Sequence, residues 1–177
     1  MRFTCPGRLT TGVLALSLAA LPAPPARAQA ATENAAKAAF IYNVALFSSL
    51  PGANGTMRLC VLGRDPFGAA LERLDGKAVG EAKMTVAYPN SGREALKGCQ
   101  ILFISASEGD SVGLLAEAAR DAGVLTISDI KGAARRGVML ELYVEDKRIA
   151  FECNGAVARA ASIGLSSKLL RLARAVY

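Results

Sequence analysis

Histidine and tryptophan are absent from this chain of 177 residues, and cysteine occurs only four times. Without histidine there is no Ser-His-Asp triad, no Cys-His nucleophile pair and no HExxH zinc site. Cys5, Cys60, Cys99 and Cys153 are too scattered to replace histidine in a metal cluster. Neither a metal nor a cofactor is expected. Long runs of like charge are missing as well, since Arg135-Arg136 and Lys147-Arg148 are the longest basic runs. Nucleic-acid binders cluster Lys and Arg on one face, so nucleic acid is not an expected partner. What remains is 52% apolar and 20% charged, a balance that folds rather than staying disordered. The length suits one ordinary domain.

The N-terminus reads as a secretion signal over residues 1–28. Arg2 and Arg8 form a basic start, and Leu9–Leu21 is apolar apart from Thr10, Thr11 and Ser17. Thirteen helical residues cover about 20 Å, short of a bilayer core of about 30 Å. Pro22, Pro24 and Pro25 end the run, and Ala26-Arg27-Ala28 offers the small-x-small cleavage pattern, with Ala28-Gln29-Ala30 as a second site. Cleavage removes Arg2, Arg8 and Arg27 and no acid, so the net charge falls from +6 to +3. The domain expected after export is 29–177, soluble and periplasmic. It keeps Cys60, Cys99 and Cys153 in a compartment that permits disulfides, and the odd count leaves at least one thiol over.

Strand and helix signals then alternate. A helix is expected over Glu33–Ser49 with Ala36, Phe40, Val44 and Phe47 on one stripe. Strands follow at Arg58–Gly63, Lys83–Tyr88, Ile101–Ser105 and Val124–Ser128, with helices at Phe67–Leu74, Ser91–Lys97 and Ser111–Ala122. Asp65 is placed as an N-cap with Pro66 in the first helical position. Such alternation implies parallel strands with helical crossovers. Val138–Val144 and Arg148–Cys153 break the pattern as an antiparallel hairpin, and helices at Asn154–Ala161 and Ser166–Tyr177 close the chain. The expected fold is α/β, one three-layer domain with a mostly parallel sheet, a C-terminal hairpin and closing helices.

Each chemical candidate has a plain structural reading beside it. Gly63–Gly68 (GRDPFG) sits where phosphate loops sit, but it lacks the Lys-Ser/Thr and the inner glycine, so a strand-to-helix turn is preferred. Asn54-Gly55-Thr56 is a turn before it is a sequon. Ser166-Ser167-Lys168 is a helix cap before it is a Ser-Lys dyad. Asp129, Glu141, Glu145, Asp146 and Glu152 gather near the hairpin, yet nothing in the sequence turns two of them toward one cleft. Arg135 and Arg136, between Gly132 and Gly137, read either as a surface loop or as a basic rim for an anionic ligand or partner. With the parallel strands in the order 2-1-3-4, Cys60 on the first strand and Cys99 before the third come within disulfide reach. Cys153 alternates with Ile149 and Phe151, and should fill the core as a small hydrophobe.

Six segments, taken in order, resemble one known family. Lys37–Asn43 (KAAFIYN), Leu59–Gly63 (LCVLG), Cys99–Ser105 (CQILFIS), Leu125–Asp129 (LTISD), Phe151-Glu152-x-Asn154 and Leu165–Leu170 (LSSKLL) are similar to the YfiR/HmsC-like family of periplasmic proteins. The resemblance implies an α/β fold and no catalysis. It implies a regulator that represses an inner-membrane diguanylate cyclase by binding its periplasmic sensor domain, with a homodimer left open. Cys60 and Cys99 match the family's cysteine pair, and Phe151, Glu152 and Asn154 match its FExN segment, a candidate partner surface together with Arg135 and Arg136. Some features depart from the pattern: no cysteine lies in Arg135–Leu142, Leu50-Pro51 stands for Trp-Pro, and Cys153 replaces an aliphatic residue. The alternative function is a periplasmic small-ligand-binding sensor, its ligand held outside the carboxyl ends of the strands.

Overall fold

The computed structural model describes Met1 and residues 26–177. The secretion-signal reading therefore falls outside the described residues, except that Ala26–Ala28 open the first helix. In chain order the elements are α1 (Ala26–Leu46), β1 (Ser48–Ser49), β2 (Thr56–Leu62), α2 (Ala69–Glu72), β3 (Ala78–Val79), β4 (Ala82–Ala87), α3 (Gly92–Gly98), β5 (Ile101–Ile104), α4 (Val112–Asp121), β6 (Leu125–Ser128), β7 (Leu140–Glu145), β8 (Arg148–Cys153), α5 (Gly155–Ala160), β9 (Gly164–Leu165), α6 (Ser167–Leu170) and β10 (Ala175–Val176). Single 3-10 turns lie at Ala106–Glu108 and Ala134–Arg136.

Eight strands form the main sheet in the order β10-β8-β7-β6-β5-β2-β4-β3, and β1 pairs separately with β9. The block β4-β2-β5-β6-β7 is parallel throughout, which agrees with the expected 2-1-3-4 order of the first four long strands. Antiparallel pairing is confined to β3–β4 and the β7–β8 hairpin in this sheet.

Strands β5 and β6 are buried at every position because helices cover both faces. Period-2 alternation sends Leu59, Val61, Ile101, Phe103, Leu125 and Ile127 into one core with Ala38 and Ile41 of α1, Leu71 of α2 and Leu169 of α6. Cys60, Leu62, Leu102 and Ile104 enter the opposite core with Ala95 of α3 and Val112, Ala116 and Ala119 of α4.

Three local expectations are corrected. The buried stripe of α1 is Ala38, Ile41, Val44 and Ala45, whereas Ala36 and Phe47 are exposed. Phe40 lies at its flank, 4.9 Å from the Phe151 ring. The helix begins earlier than expected and seats its small side chains on the sheet.

Helix α2 is one turn long. The Asp65 carboxylate accepts from the Phe67 and Gly68 amides at 2.8 and 3.0 Å, forming a turn before the helix instead of capping it. Gly68, at φ +51°, keeps Pro66 out of the first helical position.

The C-terminal segment is mostly not helix. After α6 the chain extends and β10 pairs in parallel with β8. Arg174 N–H donates to the Phe151 carbonyl and Tyr177 N–H to the Cys153 carbonyl, each at 2.9 Å. An uncovered edge strand offers hydrogen bonds that a short, poorly seated helix cannot match, and Leu172 is 72% exposed.

Candidate functional site

In open α/β sheets ligands bind outside the carboxyl ends of the strands, where the strand order reverses. Here the reversal lies between β2 and β5. The chain's own groups fill that position. Arg64 N–H donates to Ser107 Oγ at 2.8 Å, Ser105 Oγ donates to the Arg64 carbonyl at 2.6 Å, and Ser105 N–H donates to the Leu62 carbonyl at 3.0 Å. Gly63, at φ +89°, leaves no room for a side chain: a Cβ there would lie 2.3 Å from Ser107 Oγ. In the GRDPFG turn the Asp65 carboxylate already takes the amides of Phe67 and Gly68, which a phosphate would need.

Helix α1 is tied to the same end of the sheet. Asn34 Nδ2 donates to the Pro66 carbonyl after β2. The buried Lys37 ammonium reaches Asp129 Oδ2 after β6 at 2.8 Å and Glu33 Oε1 at 2.9 Å. Burial disfavours the charged lysine, but the hydrogen bonds to Asp129 and Glu33 and their charges outweigh it, so its pKa is raised. Lys37 and Asp129 belong to two of the segments that carried the family resemblance. Their meeting depends on a contact across 92 residues, which no local pattern reveals.

A second constellation forms at the hairpin. Glu152 lies half-buried on β8, and β10 brings Tyr177 beside it, so that Tyr177 Oη donates to Glu152 Oε2 at 2.6 Å. The Arg135 guanidinium sits 5.7 Å from the centre of the Tyr177 ring. The hydrogen bond to the Tyr177 hydroxyl, and then the neighbouring Glu152 charge, raise the Arg135 pKa further. Asn154 caps α5, its Oδ1 accepting from Val157 N–H at 3.1 Å, while its Nδ2 donates to the Ala134 carbonyl at 2.9 Å. Arg135, Glu152 and Asn154 thus come together.

The two remaining candidates go elsewhere. Arg136 turns away, its Nη1 donating to the Gly109 carbonyl at 3.0 Å. Phe151 is a core residue, 2% exposed, so it supports the surface from beneath and offers a partner no contact area. No local pattern joins Tyr177 or Glu141 to this surface: the sequence places Tyr177 in a helix, and Glu141, 7% exposed, among several acids near the hairpin. The hairpin register sets Glu141 directly opposite Glu152, so two carboxylates do share one face.

The bridge between Cys60 and Cys99 is formed, with a Cα separation of 6.0 Å. It is not a strand-to-strand link, because Cys60 pairs with Leu102 and Ala87. Cys99 caps the end of α3, so the disulfide ties the sheet to the helix above it. Cys153 is a buried free thiol, and burial pushes its pKa up to about 11 despite Arg159. Ser166 Oγ accepts from Leu169 N–H at 3.2 Å, the capping role expected of it. Among the described residues no cluster of metal-ligating side chains occurs, and no helix is long and apolar enough to cross a membrane.

Solved structures share the fold. A conserved domain protein from Vibrio cholerae O1 biovar El Tor is similar at a TM-score of 0.55 and 10% identity, over 81% of this chain and 60% of that one. The ABC domain from Streptococcus pneumonia, solved in complex with L-Trp, is similar at a TM-score of 0.50 and 8% identity, over 68% of this chain and 55% of that one. The chain therefore spans little more than half the length of these neighbours, and at such identities the likeness concerns fold alone. No curated protein matches the sequence. The sequence profile of one family matches residues 34–174, a span that holds the Lys37–Asp129 clamp, the disulfide, the 130–136 loop and the FExN segment. On that match the chain belongs to the YfiR/HmsC-like family.

Proposed function

We propose that the protein is a non-catalytic periplasmic regulator that binds the periplasmic sensor domain of an inner-membrane diguanylate cyclase. In this reading it holds the cyclase inactive, and so limits cyclic-di-GMP and biofilm formation. The family match across residues 34–174 carries the proposal. Two features support it. The usual ligand crevice is filled by the chain's own hydrogen bonds, which weakens the small-ligand alternative. Arg135, Tyr177, Glu152 and Asn154 meanwhile make a surface held by internal contacts, as a protein-docking site needs. The L-Trp complex of the streptococcal domain bears on the ligand reading through fold likeness alone.

The test is capture from detergent-solubilised membranes with the tagged, exported protein as bait. Retention of a GGDEF-domain membrane protein is expected, together with a rise in cyclic-di-GMP when the regulator is deleted. A ligand-induced rise in melting temperature, with no protein retained and no change in cyclic-di-GMP, would move the case to the sensor alternative.

A further inference from the structure

The loop from Ile130 to Gly137 carries Arg135, and its order has an identifiable source. Its entry is held by Ser128 Oγ, which accepts from Ile130 N–H at 3.1 Å. Its middle is held by Glu141: Oε1 accepts from Gly132 N–H at 2.8 Å and Oε2 accepts from Ala134 N–H at 3.0 Å. Asn154 Nδ2 takes the Ala134 carbonyl, and Arg136 is spent on Gly109. Arg135 alone of the two arginines is left to meet Tyr177 and Glu152.

Glu141 and Glu152 are direct cross-strand partners on the hairpin. Like charges in that position normally destabilise a sheet. Here the Glu141 carboxylate is satisfied by two backbone donors, Glu152 by the Tyr177 hydroxyl, and Arg135 lies near enough to feel both charges. A buried acid thus stands opposite another acid, and it spends both oxygens on one loop.

We propose that Glu141 is the positioning residue of the docking surface: its buried carboxylate fixes the 130–136 loop and thereby holds Arg135 against Tyr177 and Glu152. The inference rests on the regulator reading for its consequence in binding, and on the loop geometry for its mechanism. Glu141 itself offers a partner almost no surface, so it acts through Arg135. A double-mutant cycle tests this, because residues acting through one another are not additive.

Two measurements on the full exported protein separate the parts. In amide hydrogen exchange, Glu141→Gln should speed exchange at Gly132 and Ala134 about tenfold while leaving β5 and β6 unchanged. In binding to the solubilised cyclase, Glu141→Gln should cost about tenfold in affinity in the wild-type background and less than about twofold in the Arg135→Ala background. Losses that simply multiply would overturn the positioning role, as would unchanged exchange at both amides. Should Glu141→Gln not fold, Glu141→Asp keeps the charge but is too short to span both amides, and the same two outcomes apply. If the wild type binds no cyclase, the regulator reading falls. The exchange data, with the rate at which phenylglyoxal modifies Arg135, then still decide whether Glu141 holds the loop.

Discussion

Glu152 is half-buried, carries a charge, and is engaged by one hydroxyl at 2.6 Å. Its substitution therefore alters the surface with little disturbance beneath, where Phe151 and Cys153 pack. Glu152→Lys should keep the melting temperature within a few degrees, since one surface hydrogen bond contributes about 1 kcal/mol, yet relieve repression. Cyclic-di-GMP levels measured beside thermal melts check both halves. If repression survives Glu152→Lys combined with Arg135→Glu, the docking surface lies elsewhere. Cys153 calls for the opposite kind of test, because its thiol is buried and its pKa is raised from 9.0 to about 11. It should be inert to a thiol reagent at pH 8 in the native protein and react at once on denaturation. The sign of its pH effect follows. Above about 9 the unfolded thiol ionises while the folded one does not, so stability falls as the pH rises from about 9 to about 11. Cys153→Ala should remove that loss at a cost of about 1 kcal/mol, read from denaturant titrations.

Among the elements, α1 and the β7–β8 hairpin carry tension that can be measured. Lys37 joins α1 to the loop after β6, and Asp129 Oδ1 is buried without a hydrogen-bond partner, so this carboxylate depends on the lysine. Lys37→Met should cost about 1–3 kcal/mol, between the values for exposed and buried pairs. Because the folded lysine pKa is raised, its contribution is complete below about 10.5 and disappears as the pH climbs through the higher folded value. Wild type and Lys37→Met should therefore converge in stability at strongly alkaline pH. The hairpin turns through Asp146 and Lys147, at φ +48° and +62°, with Glu145 paired to Arg148. A two-residue turn with both φ values positive favours Asn-Gly. Asp146→Asn with Lys147→Gly should thus stabilise by about 1 kcal/mol, a rise of about 2–4 °C in melting temperature.

For the whole molecule the decisive covalent feature is the bridge that closes the 39-residue separation between Cys60 and Cys99. In the chain-entropy account such a loop contributes about 3–4 kcal/mol. Cys60→Ser should destabilise by about 2–5 kcal/mol in urea titrations, and lower abundance should follow in the cell. Thiol counting on exported, denatured and unreduced protein should find Cys153 alone, whereas three free thiols would contradict the bridge. The bridge was legible in the sequence for a reason only partly right. Strand order brought the two cysteines near, but the contact runs from sheet to helix end, because Cys99 lies three residues before the strand partner of Cys60.

By itself the sequence determined the features that repeat along the chain or depend on near neighbours. The alternation of apolar strands with amphipathic helices allowed only a covered, mostly parallel sheet, since a strand apolar on both sides must be buried on both. Ser166 announced itself as a helix cap, and Cys153 as core by its alternation with Phe151. Tertiary structure decided the rest. Which face of α1 is buried depended on where Ile41 and Ala38 meet the sheet, not on the helix's own periodicity. The C-terminus became a strand because β8 offered an unpaired edge, a condition set more than twenty residues earlier in the chain. That choice carried Tyr177 to Glu152 and Arg135, while the hairpin register set Glu141 opposite Glu152 and beneath the arginine loop. No local signal encodes such meetings, because each arises only when backbone donors and acceptors far apart in sequence must be satisfied together.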